Sequence, residues 1–131
     1  MLNVGFTSAL THLDWSTDSQ NIVCNSQAYE LKYCNISSKG PISSSSAKDI
    51  EWDTWTCTLG WTVQGIFPGA DGSDVNTVCR ATNQKVMATG DDFQKVNLYK
   101  YPSVMEKSGH KPYTGHASHV CKVKFALNDN F

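Results

Sequence analysis

Val75-Asn76-Thr77-Val78-Cys79-Arg80, Ala81-Thr82-Asn83-Gln84, Val86-Met87-Ala88-Thr89, Gly90-Asp91-Asp92 and Lys95-Val96-Asn97-Leu98-Tyr99-Lys100-Tyr101-Pro102 decide the fold. The first, third and last blocks are short apolar runs, and the last alternates with period two, the spacing of a half-buried strand. Between them lie a polar turn and Gly90-Asp91-Asp92, a tight turn whose Asp can accept backbone N–H bonds. Pro102 ends the series because proline cannot extend a central strand. The same texture continues upstream. Leu10–Trp15 reads as a strand, Ser16–Gln20 as a polar turn, Asn21–Asn25 as a second strand and Tyr29–Cys34 as a third. Ser37–Lys48, with four successive serines, reads as a surface loop. Breaks every eight to twelve residues and the absence of any long helical period predict an all-β fold.

The chain also repeats. Leu10, Leu13 and Trp15 align with Val75, Val78 and Arg80, and again with Val120, Val123 and Phe125; each triplet is followed by a polar turn. An apolar run resumes after each turn, at Ile22, at Val86 and at Phe131. The longer spacing between the first two triplets holds the Ser-rich loop and the Trp-rich segment 51–67. The shorter one is close to the roughly 40–45-residue period of a propeller blade. Gly115-His116 opens a unit, Thr89 and Asp92 sit at a middle hairpin, and Tyr99 is an aromatic late in a third strand, which together form the WD-repeat pattern. Its physical sense is a buried polar tether between the hairpin and the loop leading into the unit, with Gly115, His116, Thr89, Asp92 and Tyr99 as the structural repeat residues. The expectation is a partial WD-repeat β-propeller of antiparallel four-stranded blades: about two blades plus the first strand of a third. Its divisions are a first repeat core at 9–36, the Ser-rich loop and outer strands at 37–67, a second repeat at 74–102 and a truncated third from 115 to 131. Since a ring needs at least four blades, 131 residues read as a fragment, completed by further blades or by self-association.

Composition narrows the function classes. Hydrophobic residues make up 40% and charged residues 18%, which argues against wholesale disorder. No apolar run approaches the roughly 20 residues of a membrane span, and Met1–Phe6 lacks the basic flank of a secretory leader, so a soluble intracellular chain is expected. Five cysteines without a C-x-x-C pair read as reduced, mostly buried thiols. The formal charge of −1 conceals a division: residues 1–79 carry three lysines against eight acids, and residues 80–131 eight basic residues against four acids. Lys95, Lys107, Lys111, Lys122 and Lys124 form the candidate surface for an acidic partner, set against the plainer reading of a solvated lysine face.

Residues 51–131 go further than a generic repeat. Glu51-Trp52-Asp53-Thr54-Trp55-Thr56-Cys57-Thr58-Leu59-Gly60, Val63-Gln64-Gly65-Ile66-Phe67-Pro68, Thr89-Gly90-Asp91-Asp92-Phe93 and Tyr113-Thr114-Gly115-His116-Ala117-Ser118-His119-Val120 follow in an order that closely resembles the C-terminal propeller of the echinoderm microtubule-associated protein-like family. The match is strong over about two-thirds of the chain and looser over 9–36. Two departures stand out: Tyr99 and Tyr33 take the place of the usual third-strand Trp, and Ser26-Gln27 stands where an Asp turn is expected. The resemblance implies a cytoplasmic, cytoskeletal scaffold that binds microtubules or tubulin and other proteins, without catalysis; the lysines of 94–124 lack interleaved arginines, so no nucleic-acid partner is expected, and neither a cofactor nor a membrane is expected. A generic adaptor propeller that binds a signalling protein or peptide is the alternative; a Cys/His-dependent enzyme is the other.

His116, His119 and Cys121 have metal-like density, but His116 is already explained by the repeat and no fourth ligand is near in sequence, so no metal site is expected. The cysteines and histidines supply the ingredients of a nucleophilic site without a signature string, so no catalytic residue is expected. Gly69-Ala70-Asp71-Gly72 lacks the Lys-Ser/Thr of a phosphate loop and reads as a turn. Trp52, Trp55, Trp61 and Phe67 read first as packing between blades and second as an exposed recognition patch.

Overall fold

The computed structural model describes residues 4–67, 75–106 and 108–129. Gly69-Ala70-Asp71-Gly72, Lys107 and Phe131 lie outside them. The chain divides into two units, residues 1–59 and 60–131. Each carries one four-stranded antiparallel sheet. In the first, β1 (Leu10–Trp15), β2 (Asn21–Ser26), β3 (Leu31–Asn35) and β4 (Gly40–Ile42) lie in sequence order. In the second, β5 (Val75–Arg80), β6 (Val86–Asp91), β7 (Lys95–Lys100) and β8 (His110–Thr114) do the same.

The repeat is written into the backbone at a constant spacing of 65 residues. A bulge between Leu10 and His12 has its counterpart between Val75 and Thr77. The turn after β1 places Ser19 at φ 58° and bonds its N–H to the Ser16 carbonyl at 2.9 Å. The turn after β5 does this with Gln84, at φ 57° and 3.0 Å to Ala81. An acceptor side chain seals each turn, Asp18 taking the Gln20 N–H and Asn83 the Lys85 N–H, both at 2.9 Å.

Register corrects one expectation. Ile22 pairs with Cys34 and Val23 with Tyr33, whereas Met87 pairs with Tyr99 and Ala88 with Leu98. The counterpart of Tyr99 is therefore Cys34, and Tyr33 occupies the place of Leu98. Because side chains alternate faces, a one-residue offset sends the two tyrosines to opposite sides of their sheets.

The Ser-rich loop contains an edge strand, since Gly40-Pro41-Ile42 pairs with β3. Pro41 is tolerated there because an edge residue has a free side that needs no N–H. Pro112 has the same status on β8, opposite Asn97. Residues 61–66, within the stretch expected to hold outer strands, wind as a 3-10 helix whose Val63, Gly65 and Ile66 are buried. Residues 120–125, expected as a strand, have no ladder partner among the described residues and are not in a strand.

In the first unit one sheet face buries Ile22, Cys24 and Cys34 against Val4, Phe6 and Ile36. On the opposite face Tyr33 meets Trp52 at 5.9 Å and Trp52 meets Trp55 edge-on at 6.0 Å, with Trp55 only 2% exposed. Burying side chains of this size contributes roughly 2–3 kcal/mol each. In the second unit Met87 and Tyr99 face one way, and the buried Tyr99 hydroxyl donates to the Ile66 carbonyl at 3.4 Å.

Candidate functional site

The β6–β7 hairpin is built around Asp91. Its Oδ1 accepts the N–H groups of Phe93 and Lys95 at 2.9 and 3.0 Å, and its Oδ2 accepts Asn97 Nδ2 at 3.1 Å. Gln94 takes φ 67° to close the turn. In the first hairpin Ser26 stands at the equivalent position; its hydroxyl accepts the Ala28 N–H at 3.3 Å and donates to Glu30 at 2.6 Å. Glu30, whose carboxyl this Ser26 bond holds below its ordinary value, also accepts the Thr7 N–H. Tyr29, at φ 58°, matches Gln94.

The sequence-predicted repeat residues fall in three places. Thr89 and Tyr99 are buried on the same face of β6 and β7 as Asp91. Asp92, partly buried, points elsewhere: its Oδ1 accepts His119 Nδ1 at 2.6 Å and Asn76 Nδ2 at 2.8 Å. Those two bonds, His119's first, hold the Asp92 carboxyl below its usual value. Gly115 adopts φ 154°, a conformation that side chains rarely reach, and His116 is exposed. The loop at 115–120 is thus bonded to the β6–β7 hairpin by the His119 side chain at Asp92 and by the Val120 N–H at the Asp91 carbonyl, 3.0 Å. The sequence reading left Asp91 and His119 out of the repeat residues, although strand parity places Asp91, not Asp92, on the face of Met87 and Thr89.

Asp14 was missed as well. Only 1% exposed, it accepts Thr54 Oγ1 at 2.7 Å, Thr56 N–H at 2.7 Å, Thr56 Oγ1 at 3.0 Å and Cys57 N–H at 2.9 Å. The Trp-Asp-Thr-Trp-Thr-Cys string is therefore a strap: its threonines and backbone bind a carboxylate on β1 while Trp52 and Trp55 fill the sheet face. Trp61 is 54% exposed and takes no part in this cluster.

All five cysteines are free, with Cys24, Cys34 and Cys57 buried and Cys121 exposed. Desolvation pushes the Cys24 thiol up to about 11 and raises Cys34. It raises Cys57 further, with the Asp14 charge adding to the effect. These three thiols are poor thiolates at neutral pH. Among the described residues no group of three or more His, Cys, Asp or Glu side chains is placed to hold a metal ion.

Lys95, Lys111, Lys122 and Lys124 are all exposed. Lys122 and Lys124 join His116 along a groove of about 670 Å³ in the second unit, whose apolar floor includes Val86, Ala88, Val96, Leu98 and Tyr113. Lys111 Nζ lies 5.4 Å above the Tyr113 ring. Lys95 is not part of this groove's lining. Among the described residues no helix is long and apolar enough to cross a membrane.

A family model described as the echinoderm microtubule-associated protein second beta-propeller matches residues 3–131. The chain is 48% identical over 128 residues to echinoderm microtubule-associated protein-like 1 of Rattus norvegicus, covering 96% of this chain and 16% of that protein. It is 46% identical over 128 residues to echinoderm microtubule-associated protein-like 4 of Xenopus laevis, covering 95% of this chain and 14% of that protein. Against echinoderm microtubule-associated protein-like 3 of Mus musculus it is 41% identical over 131 residues, covering 98% of this chain and 15% of that protein. The chain thus spans about a sixth of the length of these relatives.

Proposed function

The chain belongs to the echinoderm microtubule-associated protein family, within its second β-propeller, and on that footing we propose that it is a non-catalytic, protein-binding part of a microtubule-associated scaffold. The observation that carries this reading is the family match across nearly the whole chain, and the cytoskeleton of the cytoplasm is where it would act. The proposed contact is the set of exposed lysines of the second unit, Lys95, Lys111, Lys122 and Lys124; Lys107 belongs to the same stretch of sequence. Such a surface attracts an acidic partner at long range and holds it through many weak contacts. Gly115, His116, Thr89, Asp92 and Tyr99 are assigned a structural part in the repeat.

Co-sedimentation with microtubules, using a closed propeller that contains this segment, tests the reading. Replacing Lys95, Lys111, Lys122 and Lys124 by Glu should remove most of the pelleted protein. Unchanged pelleting would clear this surface of the role, and no pelleting by the unaltered propeller would sink the microtubule assignment for this segment.

A further inference from the structure

The chain between β7 and β8 folds back onto the 3-10 helix at 61–66. The Ser103 N–H donates to the Thr62 carbonyl and the Gly65 N–H to the Ser103 carbonyl, both at 2.8 Å. Gln64 Nε2 adds a bond to the Val104 carbonyl at 2.7 Å. Gly65 makes this approach possible, because a β-carbon there would run into the Met105 carbonyl and the Ser108 hydroxyl and stand 2.7 Å from Ser103 Oγ. Residues 102–106 are therefore fixed to a helix whose Gly65 and Ile66 are buried, although Met105 itself is 76% exposed.

Beside this lacing lies a cleft of about 550 Å³, a size at which whole ligands are bound. Its chemistry is mixed. Pro102, Val104 and Met105 give it apolar walls, and the exposed Lys100 and Glu106 bring one charge of each sign. Ser103 brings a hydroxyl that the fold does not use. Ser103 is 4% exposed and its Oγ has no hydrogen-bond partner among the described residues, whereas the Ser108 Oγ nearby donates to the Met105 carbonyl at 2.7 Å. Burying an unpartnered hydroxyl costs free energy that alanine in the same place would avoid. Such a group in the wall of a cleft calls for a partner that the free protein does not supply.

We propose that this cleft binds an extended peptide segment of a partner protein. An apolar side chain of the peptide lies against Val104 and Met105, and a backbone carbonyl accepts from Ser103 Oγ. Glu106 disfavours a purely anionic ligand and Lys100 a purely cationic one, so the segment carries one acidic and one basic residue, which pair with them. The proposal rests on the protein-binding reading above and gives it a separate contact, since none of these residues belongs to the lysine set proposed for the acidic partner.

The test uses the closed propeller that contains this segment and end-blocked heptapeptides with a central leucine between two charged residues. The charged residues are lysine and glutamate in either order, two lysines, or two glutamates, with glycine elsewhere. One mixed order should bind about 10-fold more tightly than either like-charged peptide. Exchanging the charges, Lys100→Glu with Glu106→Lys, should invert the preferred order. If that double variant does not fold, Lys100→Gln and Glu106→Gln singly should each erase the preference. Ser103→Ala should weaken the preferred peptide about 5-fold while the free propeller melts no lower than before. Equal binding of all four peptides would overturn the proposal, as would an order preference that survives these charge changes. A Ser103→Ala propeller that melts several degrees lower would also overturn it, because the hydroxyl would then serve the fold, through a buried water or otherwise. So would a propeller dimer that Ser103→Ala disperses, which would give the cleft to a second copy. Pelleting with microtubules is scored separately. Peptide capture without pelleting keeps the cleft and removes the microtubule reading, whereas pelleting without peptide capture does the reverse.

Discussion

A carboxylate taken out of water needs donors around both oxygens, and Asp14 finds four in Thr54, Thr56 and Cys57. Asp14→Ala would leave two backbone N–H groups and two hydroxyls without their acceptor. The expected loss is about 3 kcal/mol or more in urea unfolding, and a change under about 0.5 kcal/mol would show that the strap is held by its tryptophans alone. The sequence displayed the donors as a conspicuous string but gave no hint of their acceptor on β1, some 40 residues away in the chain. Thiol burial is a second matter of single residues. Alkylation of the native protein at pH 8 should label Cys121 first, and Cys24, Cys34 and Cys57 only as fast as the protein opens. Rapid labelling of Cys57 would contradict its placement and reopen the Cys/His enzyme reading.

Between elements, the contacts that matter are those that fix one against the next. Gly90→Ala should destabilise the second unit by about 2 kcal/mol, because a β-carbon on this residue of the central strand β6 would stand 2.5 Å from Val120 Cγ1 and 2.9 Å from Thr77 Cγ2. A neutral effect in thermal unfolding would mean that residues 116–120 move aside freely. The carboxylate ties also titrate. At Asp129 partial desolvation pushes the carboxyl up, but the N–H groups of Thr82 and Asn83 outweigh it and the net shift is downward, as at Asp92. A carboxyl lowered in the folded state stabilises above its ordinary value, near 4, and loses that contribution as pH falls through the folded value. Protection of the 120–129 amides should therefore hold at pH 6 and fade below about pH 4. His119→Ala should move the Asp92 carboxyl back up in an NMR titration; no movement would show that Asn76 suffices. Period-two alternation and the recurrence of apolar triplets made the strands and the repeat legible in advance. The mismatch of the two tyrosines became legible only once the ladders fixed the repeat spacing at 65: the hairpins pair in the same register, and Tyr33 and Tyr99, which are 66 residues apart, therefore take opposite faces.

For the whole molecule, sequence and structure agree on two four-stranded sheets of a propeller and on an uneven distribution of charge. The groove was invisible in the sequence, since Val86, Ala88, Val96 and Leu98 read as ordinary core positions, and among the described residues they are only half-buried, with residues 122–126 along the groove beside them. Charge was legible because exposed lysines need no partner to be recognised as exposed. It gives the last prediction. If the basic stretch steers an acidic partner, raising ionic strength from 0.01 to 0.15 M shortens the screening length from about 30 to about 8 Å and should weaken pelleting of the closed propeller several-fold. Lys39→Glu with Lys48→Glu, in the acidic part of the chain, should leave that salt response in place, while Lys122→Glu with Lys124→Glu should flatten it. The first pair is the necessary control, because any lysine-to-glutamate change alters net charge by the same amount. A response flattened equally by both pairs would mean that the partner senses total charge rather than this surface. A response flattened by neither would place the contact on apolar groups, with Trp61, one of several exposed aromatics, a residue to replace next.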